Sequence, residues 1–428
     1  LANNKFFPVL ETVALPPDTE NQTVIYTSLA PKPVEVTVDT DGNYLAKYRL
    51  NGNEKVDIEL VGQVKIWNKP TNPSRYQWGE EQLKKYTVPD KYWETNFPQI
   101  AEKAKELKTA KAIYDYVSST LKYDYERAAG KLERLGASVA IKEPTRAVCM
   151  EFTDLFIALA RAAGIPAREL DGYAYTTNSR LKPRSFTGAG EGDKSDILHA
   201  WAQYWNAESK SWVQIDPTWG STTGGVDYFN KLDMNHFVFV IKGLSSSEPY
   251  PAGSYKTDPA QVGDVEVVLS PAETEIIVQP QLSLNLPGEL IAGLPFGGEA
   301  MVENNGNSTI FRSELSFQSQ FFGLSPVDLG PVPPFSKRAV PLNSRAGSFD
   351  LSAVDQVTAT WAGQSAKGED LKISSVRAVA IKSLFQSLLP WAAGAILFAG
   401  ALMLTAKFWP SLRPRLSRYL PWLLKEPT

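Results

Sequence analysis

Apolar and polar residues alternate in short runs over positions 34–67, a period that predicts β structure. Val34, Val36 and Val38 are separated by single polar residues, Asp39, Thr40, Asp41, Gly42 and Asn43 make a turn, and residues 44–48 resume the alternation. Strand, Asp-Gly turn, strand is the simplest reading. Residues 56–67 continue it, with Gly62 as an expected bulge. From Ile100 the spacing lengthens. Ile100, Ala104, Leu107, Tyr114, Val117 and Leu121 fall at helical intervals, interrupted by Lys111. A second helix is expected after Cys149, with Phe152, Leu155, Phe156, Leu159 and Ala163 inward and Gly164 and Pro166 ending it. Strands are predicted at 167–176, 199–205, 212–216 and 237–241, with a polar, Gly-rich loop at 178–196. Beyond residue 262 the predicted elements are all strands, at 265–269, 275–278, 299–303, 315–317 and 357–361. A β-sandwich of immunoglobulin size fits that run.

Residues 383–406 carry no charge and are rich in Leu, Ala, Phe and Gly. As a helix this run would extend ~36 Å, enough for a ~30 Å hydrocarbon core. Lys407, Arg413, Arg415, Arg418 and Lys425 follow it, against Glu426, which favours a cytoplasmic tail and an outward-facing body. Pro410, Pro414 and Pro421 argue against one long helix there. The start, Leu1-Ala2-Asn3-Asn4-Lys5, has neither Met nor a basic-then-apolar signal pattern, as expected for a processed chain, a fragment or a non-standard start.

A length of 428 residues suggests roughly three domains. The expected division is a β domain at 1–72, a mixed core at 73–258, a β-sandwich at 259–378, a transmembrane helix at 383–406 and a basic tail at 407–428. A net charge of -3 gives no electrostatic reason to expect nucleic acid as a partner.

Cys149 is the only cysteine and there are two histidines, so a thiol that needs an imidazole has almost no choice of base. A helix start favours thiolate through the positive end of the dipole, whereas Glu151 and Asp154 oppose a second anion. Alternation puts His199, Trp201, Gln203 and Trp205 on one face of a strand, and Trp212, Gln214 and Asp216 on one face of the next. A hairpin over 206–209 sets His199 opposite Asp216; a pairing displaced by two leaves them diagonal on the same face. Either permits Asp216 to steady the ring. Trp201 is a candidate for binding substrate or shielding the pair. His236 reads as structural. No cofactor is expected, and one Cys with two separated His fits a zinc set poorly. Asp39 and Asp41 lack a calcium-loop pattern.

Residues 145–156, the stretch 158–168 with Gly172 and Tyr173, His199-Ala200-Trp201, and Trp212 with Asp216-Pro217-Thr218 closely resemble the motif blocks of the transglutaminase-like superfamily, in its order. The resemblance covers about residues 85–245. It implies an α+β, papain-like core with Cys149 as nucleophile, His199 as general base and acid, and Asp216 as orienting acid. Ala147 stands where glycine is common, a departure that bears on loop geometry. The flanking β domains and the apolar run look like membrane-anchored prokaryotic members. The expected function is thioester chemistry on peptide or protein amides, at the cell surface, resolved by water or an amine. The alternative is a non-catalytic surface scaffold or adhesion protein whose β modules do the work.

Overall fold

The computed structural model describes residues 1–71, 78–128, 133–175, 198–254, 265–268, 270 and 272–419, with backbone alone over 411–419. The loop expected at 178–196 lies outside the described residues.

Five strands open the chain: β1 (Val9–Leu15), β2 (Gln22–Ala30), β3 (Glu35–Val38), β4 (Tyr44–Leu50) and β5 (Glu59–Ile66). The β3–β4 hairpin forms because the Asp39 carboxylate accepts from the backbone N–H of Asp41 at 2.9 Å and of Asn43 at 2.8 Å. β4 also pairs with β1, and β2 pairs with β5. The bulge foreseen at Gly62 is on the facing strand: pairing passes from Tyr26↔Gly62 to Ser28↔Val61 and leaves Thr27 extra. Gly62 is still required, since a Cβ there would sit 2.9 Å from the Ile25 carbonyl oxygen.

The central part holds α1 (Glu80–Lys84), α2 (Pro98–Leu107), α3 (Ala110–Thr120), α4 (Tyr125–Ala128), α5 (Ala137–Lys142) and α6 (Cys149–Ala162), then β6 (Ala167–Ala174), β7 (Leu198–Asn206), β8 (Ser211–Ile215), α7 (Pro217–Thr222) and β9 (His236–Lys242). The run 100–121, read as one interrupted helix, is two. Lys108 turns left-handed at φ 57°, and the Thr109 hydroxyl then caps α3 by accepting from the Ala112 N–H at 3.2 Å. α6 is buried on every side from Cys149 to Arg161, not along one stripe. Its apolar residues share one core with α2, α3, β6 and β7. Its polar ones are each paired: Arg161, for example, donates to the carbonyls of Ala167, Val88 and Gly243.

The central sheet runs β8-β7-β6-β9, so β9 is an edge. Two amide side chains, one on β2 and one in the β3–β4 turn, take the place of a neighbouring strand. Gln22 donates to Val238 O at 2.9 Å and accepts from Val238 N at 2.6 Å. Asn43 does the same at Ile241, with 2.7 Å in each direction. A bulge makes this spacing possible: pairing with β6 jumps from Asp171↔Val240 to Gly172↔Val238, leaving Phe239 extra.

The C-terminal strands are β10 (Pro280–Asn285), β11 (Glu289–Ile291), β12 (Pro295–Asn304), β13 (Ile310–Gln318), β14 (Val327–Val332), β15 (Lys337–Arg345), β16 (Ala353–Gln364) and β17 (Asp370–Lys382). They form sheets ordered β10-β12-β15 and β11-β17-β16-β13-β14, whose apolar residues meet in one core around Trp361. Residues 265–268 and 275–278, expected as strands, are not. The Ile277 backbone bonds instead with Asn307 in a turn, accepting from its N–H at 3.0 Å and donating to its side chain at 2.8 Å. The last helix, α8 (Leu384–Tyr419), runs through Pro410 and Pro414, contrary to expectation; each proline removes one backbone hydrogen bond and the flanking turns carry the helix on. Its segment Leu384–Pro410, 27 residues of mean hydropathy 1.8, is long and apolar enough to cross a membrane.

The amide clamp on β9 gives a direct expectation. Gln22→Ala leaves the Val238 N–H and C=O without partners, at roughly 1–3 kcal/mol per group. The unfolding free energy should fall by about 2–5 kcal/mol, and hydrogen exchange at Val238 should accelerate. Unchanged exchange there would contradict the clamp.

Candidate active site

Cys149 opens α6 with Val148 as its N-cap. The helix start is fixed by Glu151, which accepts from the Val148 N–H at 3.0 Å and the Leu135 N–H at 2.9 Å. Arg127 closes on the same carboxylate at 2.6 and 3.0 Å. Asp154 is held by Arg134 and by the Trp93 indole N–H at 3.0 Å. The two acids that appeared hostile to a thiolate are therefore already paired with arginines. Cys149 itself is 3% exposed, among Val148, Met150, Ala128 and Ala200, with Tyr123 packed against them. Burial first, and then the neighbouring Cys149, push the Tyr123 phenol well above its ordinary range. Tyr123 thus packs in the cluster around Cys149, whereas Tyr125 is largely exposed.

His199 arrives on β7 and is wholly buried. The β7–β8 hairpin has the displaced register: Ala202↔Ile215 and Trp205↔Trp212 pair, so position 216 falls diagonal to 199 rather than opposite. Asp216 itself has left the strand. It is the N-cap of α7, with Pro217 at the first helical position and the Trp219 N–H donating to Oδ1 at 3.0 Å. Its other oxygen, Oδ2, lies 2.8 Å from His199 Nε2. Among the described residues, His199 Nδ1 has no hydrogen-bond partner. Burial opposes a charge on His199, but the Asp216 carboxylate outweighs it and Cys149 adds to it, raising the imidazole from 6.5 to about 9. Burial likewise opposes charge on Asp216, and the imidazoles beside it hold it below the ordinary carboxylate range.

One of those imidazoles was not expected here. His236, at the start of β9, is buried and places Nε2 3.2 Å from the same Asp216 Oδ2, with Nδ1 2.9 Å from Asp233 Oδ1. Nothing in the sequence pattern joins positions 216, 233 and 236; the sole available signal was that His236 is one of only two histidines. Ligand atoms of His199, Asp216 and His236 lie within 4.8 Å of one another, but each is already engaged in these hydrogen bonds.

Gly172 allows the convergence. It pairs with His199 on one side and Val238 on the other. A Cβ on it would lie 2.0 Å from the Phe237 carbonyl oxygen and 2.9 Å from the Trp201 ring. Trp201 is wholly buried, nearly parallel to His199 with ring centroids 6.0 Å apart, and its indole N–H donates to Gln214 at 2.9 Å. Arg168 lies away from the site, on Gln203 at 2.7 Å and over the Trp212 ring.

A family model of the transglutaminase-like superfamily matches residues 94–217. A protein-glutamine gamma-glutamyltransferase of Pseudomonas aeruginosa is 25% identical over 198 residues, which are 44% of this chain and 27% of that protein. The chain therefore spans about a quarter of that relative's length. Among solved structures, a candidate cysteine protease from Cytophaga hutchinsonii aligns at 17% identity and TM-score 0.37, over 61% of this chain and 93% of that one. The periplasmic domain of TgpA from Pseudomonas aeruginosa aligns at 16% identity and TM-score 0.28, over 51% and 72%.

Two outcomes follow from the geometry. Gly172→Ala forces β6 from β9 and should cost more than the ~1–3 kcal/mol of ordinary overpacking, because backbone has to move; an unfolding midpoint like the parent's would contradict the close approach. Imidazoles raised to about 9 (His199) and about 8 (His236) contribute stability below their ordinary 6.5 and lose it as pH rises through those values. The stability deficit of Asp216→Asn, about 3–5 kcal/mol where both rings are charged, should therefore shrink in denaturation curves taken from pH 6.5 upward through 9. A deficit that grows over that window would contradict the pairing.

Proposed function

We propose that this chain, whose residues 94–217 match the family model of the transglutaminase-like superfamily, is a cysteine enzyme acting on peptide or protein amides through a thioester on Cys149. The observation that carries the reading is one ring with two commitments. His199 is tied to Asp216 through Nε2, its Nδ1 has no other partner among the described residues, and Cys149 is among the groups that favour a proton on the ring.

The chemistry follows atom by atom. The thiol proton rests on Nδ1, which leaves the sulfur as thiolate beside an imidazolium, and the sulfur attacks the carboxamide carbon. The carbonyl electron pair moves onto oxygen, beside the N-terminus of α6, where the Cys149 N–H has no preceding turn to bond and is available to the oxyanion. The tetrahedral adduct collapses as Nδ1 returns the proton to the nitrogen. The C–N bond breaks, ammonia or an amine leaves, and a thioester remains. Water or an acceptor amine then loses a proton to Nδ1, attacks the thioester, and releases the sulfur. Water gives hydrolysis and an amine gives transfer; similarity to a protein-glutamine gamma-glutamyltransferase favours a glutamine side chain as the amide donor. Asp216 holds the ring in position and offsets its charge. The buried, near-parallel Trp201 ring suits shielding of that pair from water rather than contact with substrate.

Around this core we read residues 1–72 and 259–378 as β modules, the second immunoglobulin-like, with 73–258 as the catalytic part. The apolar helix is read as a single membrane anchor, with a cytoplasmic tail at 407–428 and the body outside.

A peptidyl probe bearing a thiol-reactive electrophile tests the assignment. Since Cys149 is the sole thiol, intact mass should show one adduct on the parent and none on Cys149→Ala. Equal labelling of the two proteins would defeat it. His199→Ala should slow labelling by about 10²–10⁴-fold, the range for loss of a general base.

A further inference from the structure

The hydrogen-bond geometry around His236 is over-determined, and this carries an inference that rests on the functional reading above while deepening it. Each ring nitrogen of His236 faces an oxygen of a carboxyl group: Nε2 lies 3.2 Å from Asp216 Oδ2, and Nδ1 lies 2.9 Å from Asp233 Oδ1. A carboxylate oxygen only accepts, so both contacts are hydrogen bonds only if both ring nitrogens carry protons. Asp216 is ionised, because the same oxygen accepts from His199 and Oδ1 accepts from the Trp219 N–H. Asp233 has a side chain 30% exposed and also accepts the Asn235 N–H at 3.0 Å. We propose that His236 is a standing imidazolium and a positioning residue of the site, which acts through Asp216 to set how firmly His199 holds its proton.

The surroundings support a trapped charge. The titratable groups facing His236 are His199 on β7, Asp216 at the start of α7, Tyr228 beyond α7, and Asp233 in the turn before β9. The rings of Trp201 and Trp219, with centroids 5.2 and 4.6 Å away, close the remaining sides. Burial opposes the charge, and the two carboxylates reverse that, raising His236 from 6.5 to about 8. Burial also opposes charge on Asp233, yet His236 holds that carboxyl below its ordinary range.

The consequence for His199 is a matter of sign. Asp216 alone, buried against His199, would stabilise the imidazolium so strongly that it would give up its proton poorly to the leaving nitrogen. A second cation on the same carboxylate oxygen, with ring centroids 5.6 Å from His199, opposes that pull. Two imidazoles sharing one oxygen therefore temper the proton affinity of the catalytic ring.

Two measurements test this on the full chain. With only two histidines, ¹⁵N-histidine labelling yields two ring systems, separable by comparison with His199→Gln. His236 should show both nitrogens protonated at pH 7 and lose a proton near 8. A neutral single tautomer at pH 7, or a metal-bound nitrogen shift, would overturn the proposal whatever the activity. The second reading is the pH profile of kcat/KM for His236→Gln, which can retain a donor toward Asp216 without the charge. Its alkaline limb, which reports the His199 proton, should move up by about 1–2 pH units. A lower rate with an unmoved or lowered limb would reduce His236 to packing. If the parent has no activity while His236 is doubly protonated, the functional reading fails and the charge assignment stands.

Discussion

One buried carboxylate oxygen, Asp216 Oδ2, is the point on which the site depends. It receives Nε2 of His199 and Nε2 of His236, while its partner oxygen caps α7. An anion that is wholly buried persists only if its lone pairs are used and its charge is met. Here the cap, the two rings and the peptide dipoles of α7 meet it together. Each of those also fixes geometry: the cap places Asp216 just past β8, and the rings fasten β7 and β9 to the same spot.

The rest of the fold serves that convergence. β9 is an edge strand, and the site requires its first residue to be held against β7 through β6. Gly172 removes the side chain that would keep β9 away, and the bulge at Phe239 turns Val238 and Ile241 outward. Gln22 on β2 and Asn43 in the β3–β4 turn, more than 190 residues earlier, then hold those two positions as a neighbouring strand would. The N-terminal β structure is thus part of what keeps His236 in place. On the opposite side, α6 is buried all round, and its acids are matched by Arg127 and Arg134 so that the first turn can present Cys149 without two unpaired anions beside it.

Much of this was legible in the chain. Period-two alternation located the hairpins, helical spacing with Gly164 and Pro166 bounded α6, and strand parity allowed His199 and Asp216 to meet. Three things were hidden, each for a physical reason. The break at Lys108 depends on a left-handed residue and a threonine cap, which the continuous apolar stripe conceals. Of the strands expected at 265–269 and 275–278, the described residues 265–268 and 275–278 are not strand, and Ile277 bonds to a turn. Contacts such as His236 with Asp216, or Arg134 with Asp154, join distant positions through packing, which no local period encodes. The helix that runs through Pro410 and Pro414 is the opposite lesson: a strong local breaker yields to the turns on either side of it.

The central claim is that Cys149 forms a thioester because His199, steadied by Asp216, can move its proton. The most direct measurement is intact mass of the full chain, acid-quenched during incubation with glutamine-containing peptides. The account predicts a peptide adduct lighter by the departed ammonia or amine, removed by hydroxylamine and absent from Cys149→Ala. Peptides that leave no such adduct on the parent, or an adduct that survives the loss of Cys149, would contradict it.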